Sequence, residues 1–367
     1  MKVSVLTGNL QKKLSFVNHA ISSRVQLPIL SNFLLETRED KLVISATDLE
    51  IGIETIIPVQ VEEKGATTVP AKLFTELINA LPEEKITLTV KDGSLMIQSK
   101  KTNSVLQTMS REEFPSLYEE KGEKLIEVKP ETLRHDLSMV AFAASIETTR
   151  PALSGVLIKK EEKTLTFVAT DGYRLSLKKD LSEGIVESDK TILVPVRVIK
   201  EVLWFKENSP IALYISSQSN QIIFEQDETV LVGRLIEAQY PNYQKIIPTD
   251  FSAKIAFDRE ELLKAVKTCS IFARETANIV TLSLQKTKII VSAKTPSLGE
   301  NTVEVEAQLE GEENEIAFNV RYLLDVLGNV SENDLTFEMT GPLNPGVFRI
   351  AKNDLFLHLI MPIRTQE

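Results

Sequence analysis

The sequence predicts an α+β fold made of three copies of one domain, each with two helices packed on one side of an antiparallel-rich sheet. Two observations carry this. A helix-then-strand stretch occurs three times: VPAKLFTELINALPEEKITLTV from Val69 to Val90, VPVRVIKEVLWFKENSPIALYI from Val194 to Ile215, and FNVRYLLDVLGNVSENDLTFEM from Phe318 to Met339. Pro70, Pro195 and Asn319 hold one place in it, so the period is 125 and then 124 residues. That is the size of a domain, not of a solenoid unit. A hairpin pattern recurs in step, as Phe33–Asp48, Ser154–Asp171 and Val280–Lys294, with 123 residues from Asp48 to Asp171.

In the repeated helix, Pro70 and Pro195 suit a first helical position, where a missing N–H costs nothing. The apolar stripe is Leu73, Phe74, Leu77, Ile78 and Leu81 in the first copy. It is Val198, Ile199, Val202 and Leu203 in the second, where Lys206 breaks the last place, and Tyr322, Leu323, Val326, Leu327 and Val330 in the third. A second helix per repeat carries Leu10, Leu14, Val17 and Ile21, then Leu133, Leu137 and Val140, then Leu262, Val266 and Cys269. Boundaries fall in the charged stretch Tyr118–Lys124 and in Ile246–Lys254, giving domains of residues 1–120, 121–248 and 249–367.

The face opposite the stripe is basic. Lys72, Arg197 and Arg321 occupy one equivalent place, about 190° from the stripe centre at ~100° per residue. The plain account is a solvated ion pair with Glu76, Glu201 and Asp325, four residues on, which contributes only ~0.2–0.5 kcal/mol. A cation in the first turn also opposes the helix dipole, so something anionic beyond that face is the competing account. In the other helix Lys12, His135 and Lys264 share a place.

The 367 residues are 43% hydrophobic and 26% charged, with a net charge of −10 and a pI near 5.2. That is ordinary for a soluble globular protein. An acidic balance argues against a free nucleic-acid-binding domain, but not against positive charge confined to one surface. One cysteine, Cys269, excludes an internal disulfide and fits a reducing compartment. The N-terminus lacks the apolar run of a signal peptide. No segment approaches the ~18 apolar residues of a membrane span, so a cytoplasmic location is expected.

Signals for chemistry are thin. Gly341 and Gly346 have the outer spacing of a phosphate loop, but Val347 and Phe348 follow. His19, His135 and His358 are far apart, and no cluster has zinc spacing. Asp48 and Asp171 end matched ATD segments and could share a proton as paired carboxylates, although strand-end aspartates more often cap turns. No cofactor, no metal and no catalytic residue is expected. Two places are less bland: the turn Thr170–Leu175, which puts Tyr173 and Arg174 beside Gly172, and the apolar tail Leu357–Arg364, interrupted by Pro362.

Across its whole length the chain resembles the beta subunit, or sliding clamp, of bacterial replicative DNA polymerase. The likeness rests on LPIL (Leu27–Leu30), TDLE (Thr47–Glu50), GATTVPA (Gly65–Ala71), FPSL (Phe114–Leu117), RPALSGVL (Arg150–Leu157), ATDGYRL (Ala169–Leu175), YPNYQKIIP (Tyr240–Pro248), FNVRYLLDVL (Phe318–Leu327) and LIMPIR (Leu359–Arg364). The resemblance implies a head-to-tail homodimeric ring of six similar domains, with helices lining the hole and no enzymatic activity. Duplex DNA would pass through it, bound through phosphates and without sequence preference. The replicative polymerase, the clamp loader and repair proteins would dock through short peptides. The alternative is a cytoplasmic β-rich peptide-binding scaffold that never encircles DNA.

By matching position the resemblance implies DNA contacts at Arg24 and Lys72 and a basic position at Arg197; a ring of six such domains would place Arg321 with Lys72 and Arg197 around one channel, beside the basic places Lys12 and Lys264. Glu147, Pro151 and Ala152 depart from the family pattern in the second domain. The implied peptide pocket comprises Leu153, Thr170, Gly172, Tyr173, Arg174, Leu175, Pro241, Lys245 and Ile246, completed by Tyr322, Leu343, Leu359, Met361, Pro362, Ile363 and Arg364. The implied subunit contact joins an edge strand near Leu106 to Ile271 and Phe272, taken to follow the helix of Cys269.

Overall fold

The structure, a computed structural model, describes residues 1–21, 27–147, 149–161, 164–181, 189–275, 277–295 and 299–364. The elements repeat three times. The first copy is β1 (Lys2–Leu6), α1 (Thr7–Val17), β2 (Asn32–Arg38), β3 (Lys41–Thr47), β4 (Ile51–Pro58), β5 (Gln60–Glu63), β6 (Ala66–Pro70), α2 (Ala71–Ala80), β7 (Lys85–Lys91), β8 (Ser94–Gln98) and β9 (Asn103–Gln107). The second is β10 (Glu123–Val128), α3 (Pro130–Ala141), β11 (Gly155–Glu161), β12 (Thr164–Thr170), β13 (Arg174–Leu181), β14 (Lys190–Pro195), α4 (Val196–Val202), β15 (Ile211–Ser216), β16 (Gln221–Gln226) and β17 (Thr229–Arg234). The third is β18 (Ala253–Asp258), α5 (Arg259–Ala273), β19 (Ile279–Gln285), β20 (Lys288–Thr295), β21 (Gly299–Gly311), β22 (Asn314–Asn319), α6 (Val320–Asn329), β23 (Asp334–Met339), β24 (Gly346–Ile350) and β25 (Asn353–Ile360). In the third copy the long β21 takes the places of both β4 and β5: its first part pairs with β20 as β4 does with β3, and its second part with β18 as β5 does with β1. The fold is therefore the expected α+β triplication, with two α-helices per copy.

The helices form where expected, with shifted details. In α2 the buried residues are Ala71, Phe74 and Ile78, while Leu73 is 51% exposed. The core stripe is narrower than the sequence suggested, because the i, i+3, i+7 row already meets the sheet. Pro70 stands at the N-cap rather than at the first helical position, since it still pairs with Asn32 in β6. In α6 Asn319 takes that place, and its side-chain oxygen accepts from Arg321 N at 3.0 Å. α4 ends at Val202, so Trp204 falls in a turn and is 54% exposed. α1 ends at Val17 and leaves Ile21 outside it. α5 opens on Asp258, which accepts from Glu261 N at 2.9 Å, with Glu260 and Glu261 favourably placed in the first turn.

Strands cross between copies. β4 pairs with β17, matching Gly52 with Val232, and β13 pairs with β25, matching Leu175 with Leu359. The same strand of one copy thus meets the last strand of the next copy. The sheets are β5-β1-β7-β8-β9, β10-β15-β16-β17-β4-β3-β2-β6 and β14-β11-β12-β13-β25-β24-β23-β18-β21-β20-β19-β22. The described residues group into two compact units. One is made chiefly of Met1–Thr132 and Arg197–Leu235 and holds the five- and eight-stranded sheets; the other holds the twelve-stranded sheet.

In the second unit, one core gathers α5 residues Leu262, Val266 and Cys269, α6 residues Leu323, Val326 and Leu327, and a Phe318–Phe337–Phe348 cluster, all at most 1% exposed. Each such side chain contributes about 1.5–3 kcal/mol through burial. The stretch Tyr118–Lys124 is less linker-like than its composition suggested. Tyr118 is half-buried, its hydroxyl donates to Glu54 Oε1 at 3.3 Å, and burial pushes its pKa up to about 12.

Candidate functional site

The basic helix places are found on helix surfaces, and Lys12, Lys72, Lys264 and Arg321 are exposed. Among the described residues none of these four side chains forms an ion pair. The expected i, i+4 pairs do not form on α4 and α6. Glu201 instead lies 2.7 Å from His19 Nδ1, and Asp325 accepts from Arg174. Base-before-acid spacing is the weaker helical order, so partners from other segments win. Arg197 differs from its counterparts: its guanidinium sits on Asp48, with Glu50 at 3.6 Å, and its side chain is 43% exposed. His135, at the place of Lys12, lies 3.2 Å from both Asp136 and Ser331. Arg24 lies outside the described residues.

The two ATD segments end in the same turn. Asp48 accepts from the backbone N–H groups of Glu50 and Ile51 at 3.0 and 2.9 Å, and Asp171 from those of Tyr173 and Arg174 at 2.9 and 3.0 Å. Thr47 and Thr170 hydroxyls donate to Ile51 O and Arg174 O at 2.8 and 2.6 Å. Both aspartates are thus turn caps with a cation beside them, which is the bland account of these segments. Among the described residues no cluster of His, Cys, Asp and Glu could hold a metal.

The Asp171 turn starts β13 and aims Arg174 inward. Arg174 Nε donates to Asp171 Oδ2 at 3.1 Å, Nη1 to Asp325 and Nη2 to Phe142 O at 2.8 Å, and its guanidinium stacks 4.6 Å from the Tyr322 ring. Gly172 has φ +95°, a conformation that residues other than glycine rarely adopt, so the tight turn selects glycine here. Leu175, Leu359, Leu157, Val168, Leu177 and Val347 form a buried floor, against which Tyr240, Tyr243 and Ile247 pack. Tyr240 donates to Val168 O at 3.3 Å, and burial pushes its pKa far up. Burial also raises Tyr322.

Above this floor stand exposed apolar groups: Tyr173 at 64%, Ile246 at 47%, Leu343 at 60% and Met361 at 40%. Strand pairing joins Tyr173 to Met361 and sets the start of β24, three residues after Leu343, on the other side of β25. Arg174 faces Ile360, Gly346 faces Ile360, and Met361 N donates to Tyr173 O at 2.8 Å. Ile363 N donates to Ala317 O at 2.8 Å, so Pro362 interrupts the strand and the tail continues along β22. Leu153 and Thr170 are buried beside the turn, Pro362 and Ile363 are half-buried, and Pro241, Lys245 and Arg364 are exposed. An apolar floor, exposed anchors and few polar groups suit a short peptide with large side chains. Spacing gave no hint of Phe142 or Asp325, since Asp325 lies 151 residues from Arg174.

The implied subunit-contact residues need correction in detail. Ile271 and Phe272 lie inside α5, not after it. Ile271 is 58% exposed, whereas Phe272 packs against the core. On β9 the side chain of Leu106 is buried and Val105 is the exposed one, because neighbours on a strand alternate faces.

Comparison with known proteins agrees with these features. Residues 1–118, 127–242 and 244–364 match the families described as the N-terminal, central and C-terminal domains of the DNA polymerase III beta subunit. A beta sliding clamp of Synechocystis sp. is 30% identical, over 99% of each chain. The crystal structure of a DNA polymerase sliding clamp from Bacillus subtilis superposes with a TM-score of 0.96 at 27% identity, and that of the DNA polymerase III beta subunit from Pseudomonas aeruginosa with 0.94 at 26%, each over 100% of both chains. The chain, with its three copies of one α+β domain, belongs to the family of DNA polymerase III beta subunits, the beta sliding clamps.

Proposed function

We propose that two copies of this chain close head to tail into a ring around duplex DNA and hold the replicative polymerase, the clamp loader and repair proteins to it, without catalysing a reaction. The observation that carries this is the recurrence of an exposed cation, Lys72 and Arg321, at one place of the repeated helix with no ion pair among the described residues. Duplex DNA presents a phosphate about every 1.7 Å of axis, and phosphate contacts carry no sequence information, which lets a ring slide. Lys12 and Lys264 extend the basic surface, Arg24 belongs to the same set, and Arg197 contributes through its half-exposed guanidinium.

Strand arithmetic supports the second copy. β4 pairs with β17 and β13 with β25, so by the repeat β21 and β9 are the remaining counterparts. β9 ends its sheet, and residues 299–306 of β21 pair with β20 alone. Joining β9 of one copy to β21 of another, near Val105, Leu106 and Ile271, would cover both edges and close after two copies. The floor around Leu175 and Leu359 is the peptide seat. Division into residues 1–120, 121–248 and 249–367 and a cytoplasmic location complete the reading.

Retention on DNA after loading tests it. Protein should stay on closed circular duplex and run off when the circle is linearised. Equal loss from both forms would end the ring reading.

A further inference from the structure

We propose that the cleft between α1 and the turn after α4 binds an unpaired nucleotide of single-stranded DNA, its base seated on Trp204 and its phosphates on Lys12, Lys13 and Lys206. The cavity measures ≈ 480 Å³, within the range of small-ligand sites. Phe16 and Phe205 meet edge to face at 5.4 Å in its wall. Trp204 is 54% exposed, yet it is held. The His19 ring abuts it edge-on at 5.2 Å, and His19 is itself fixed 2.7 Å from Glu201. The indole is thus a positioned platform rather than a loose side chain.

Charge selects the occupant. Three lysines line the cleft against one carboxylate, Glu207, in a chain of net charge −10. The Lys206 ammonium stands 5.8 Å from the indole centroid, so a cation already flanks any ring that stacks there. An aromatic face ringed by lysines is the chemistry of sequence-tolerant single-strand binding. A duplex keeps its bases stacked inside and offers none to the indole. The cleft rests on the DNA-facing reading of α1 only through Lys12.

Trp204 is the sole tryptophan, so its emission reports this cleft alone. Titrating the full-length protein with a short oligothymidylate should give saturable quenching that weakens with salt. Lys13→Glu and Lys206→Glu should each weaken it by about tenfold. Followed by anisotropy of a labelled oligothymidylate, Trp204→Phe should bind like the parent and Trp204→Ala about tenfold more weakly. The doubly substituted Lys72→Glu, Arg321→Glu protein should keep the quench even though it loses retention on circular duplex. Loss of the quench in that protein would overturn the proposal, as would no quenching by the oligonucleotide. Equal quenching by polyglutamate would also overturn it, in favour of an acidic protein ligand. Failure here with duplex retention intact leaves the ring reading standing.

Discussion

Leu117 occupies the space that a side chain at position 52 would need: a Cβ built on Gly52 falls 2.9 Å from Leu117 Cγ. The repeat counterpart of Gly52 is Leu175, in the floor of the proposed peptide seat, and Leu117 belongs to a buried cluster with Phe114 and Val232. The first repeat thus sets Leu117 of its FPSL segment directly against the backbone at Gly52, where the second carries a Leu175 side chain in a buried floor on which Tyr240 and Tyr243 pack. Gly52→Leu should destabilise by about 1–3 kcal/mol through overpacking, and Leu117→Ala by about 2–3 kcal/mol through a cavity. The double variant should recover part of the loss, measured as a coupling energy in urea unfolding. Simple additivity would contradict this packing.

Arg174 should be the most sensitive residue of the proposed peptide seat. Its truncation leaves Asp171 without its charge partner, Phe142 O without its donor and Tyr322 without its stacked cation. Arg174→Ala should cost about 3 kcal/mol, at the low end for breaking a buried pair, because Asp325 is 43% exposed. Binding of a fluorescent partner peptide should fall at least tenfold in parallel. Unchanged peptide affinity would remove Arg174 from the seat.

His358 predicts an acid weakness. Its ring is fully buried, Nδ1 lies 2.6 Å from Ser176 Oγ, and Nε2 has no hydrogen-bond partner among the described residues. Loss of solvation, and then the Arg174 charge, hold its pKa well below 6.5. As pH falls below about 6.5 the unfolded chain takes up a proton that the folded chain refuses, so stability should fall by up to ~1.4 kcal/mol per pH unit. Asp136, raised first by burial, works oppositely at lower pH, gaining stability as its carboxyl protonates above 3.8. The stability difference between parent and His358→Gln, followed from pH 7.5 downward in urea titrations at about half-unit steps, should isolate the histidine slope.

Cys269 should be inert in the native state. Burial pushes its thiol up to about 11, and Sγ lies 3.4 Å from Val291 O and 3.2 Å from Asn301 Oδ1. A thiol-reactive chromophore at pH 8 should label it only at the rate of opening of this core. Fast stoichiometric labelling of the folded protein would contradict the burial.

Ile271→Arg and Val105→Glu each place a charge on an exposed apolar position of the proposed subunit contact. Sedimentation should show each shifting dimer toward monomer, with little change in unfolding midpoint at dilutions where the parent is already monomeric. Parent-like sedimentation of both would move the contact elsewhere.

Much of the fold was legible because burial writes a period into the chain. Phe74, Ile78, Leu323 and Val326 stand where the stripe put them, and the hairpins ending in Asp48 and Asp171 form as read. What was hidden depends on partners far away in sequence. Nothing near Arg197 announces Asp48, and nothing near Arg174 announces Asp325. Leu73 looked like core, but the narrower row of α2 leaves it in solvent. The floor of the seat was equally silent, because Leu175 meets Leu359 only through a strand pairing that joins two repeats.

That shared pairing limits how the molecule can be dissected. A fragment cut before β18 would keep Leu359 and Met361 but strip β13 from β25, leaving five backbone positions, Phe356 to Ile360, with a raw edge. Such a piece should clump through that edge and hold no peptide, so recombinant dissection must preserve β11–β14 together with everything downstream.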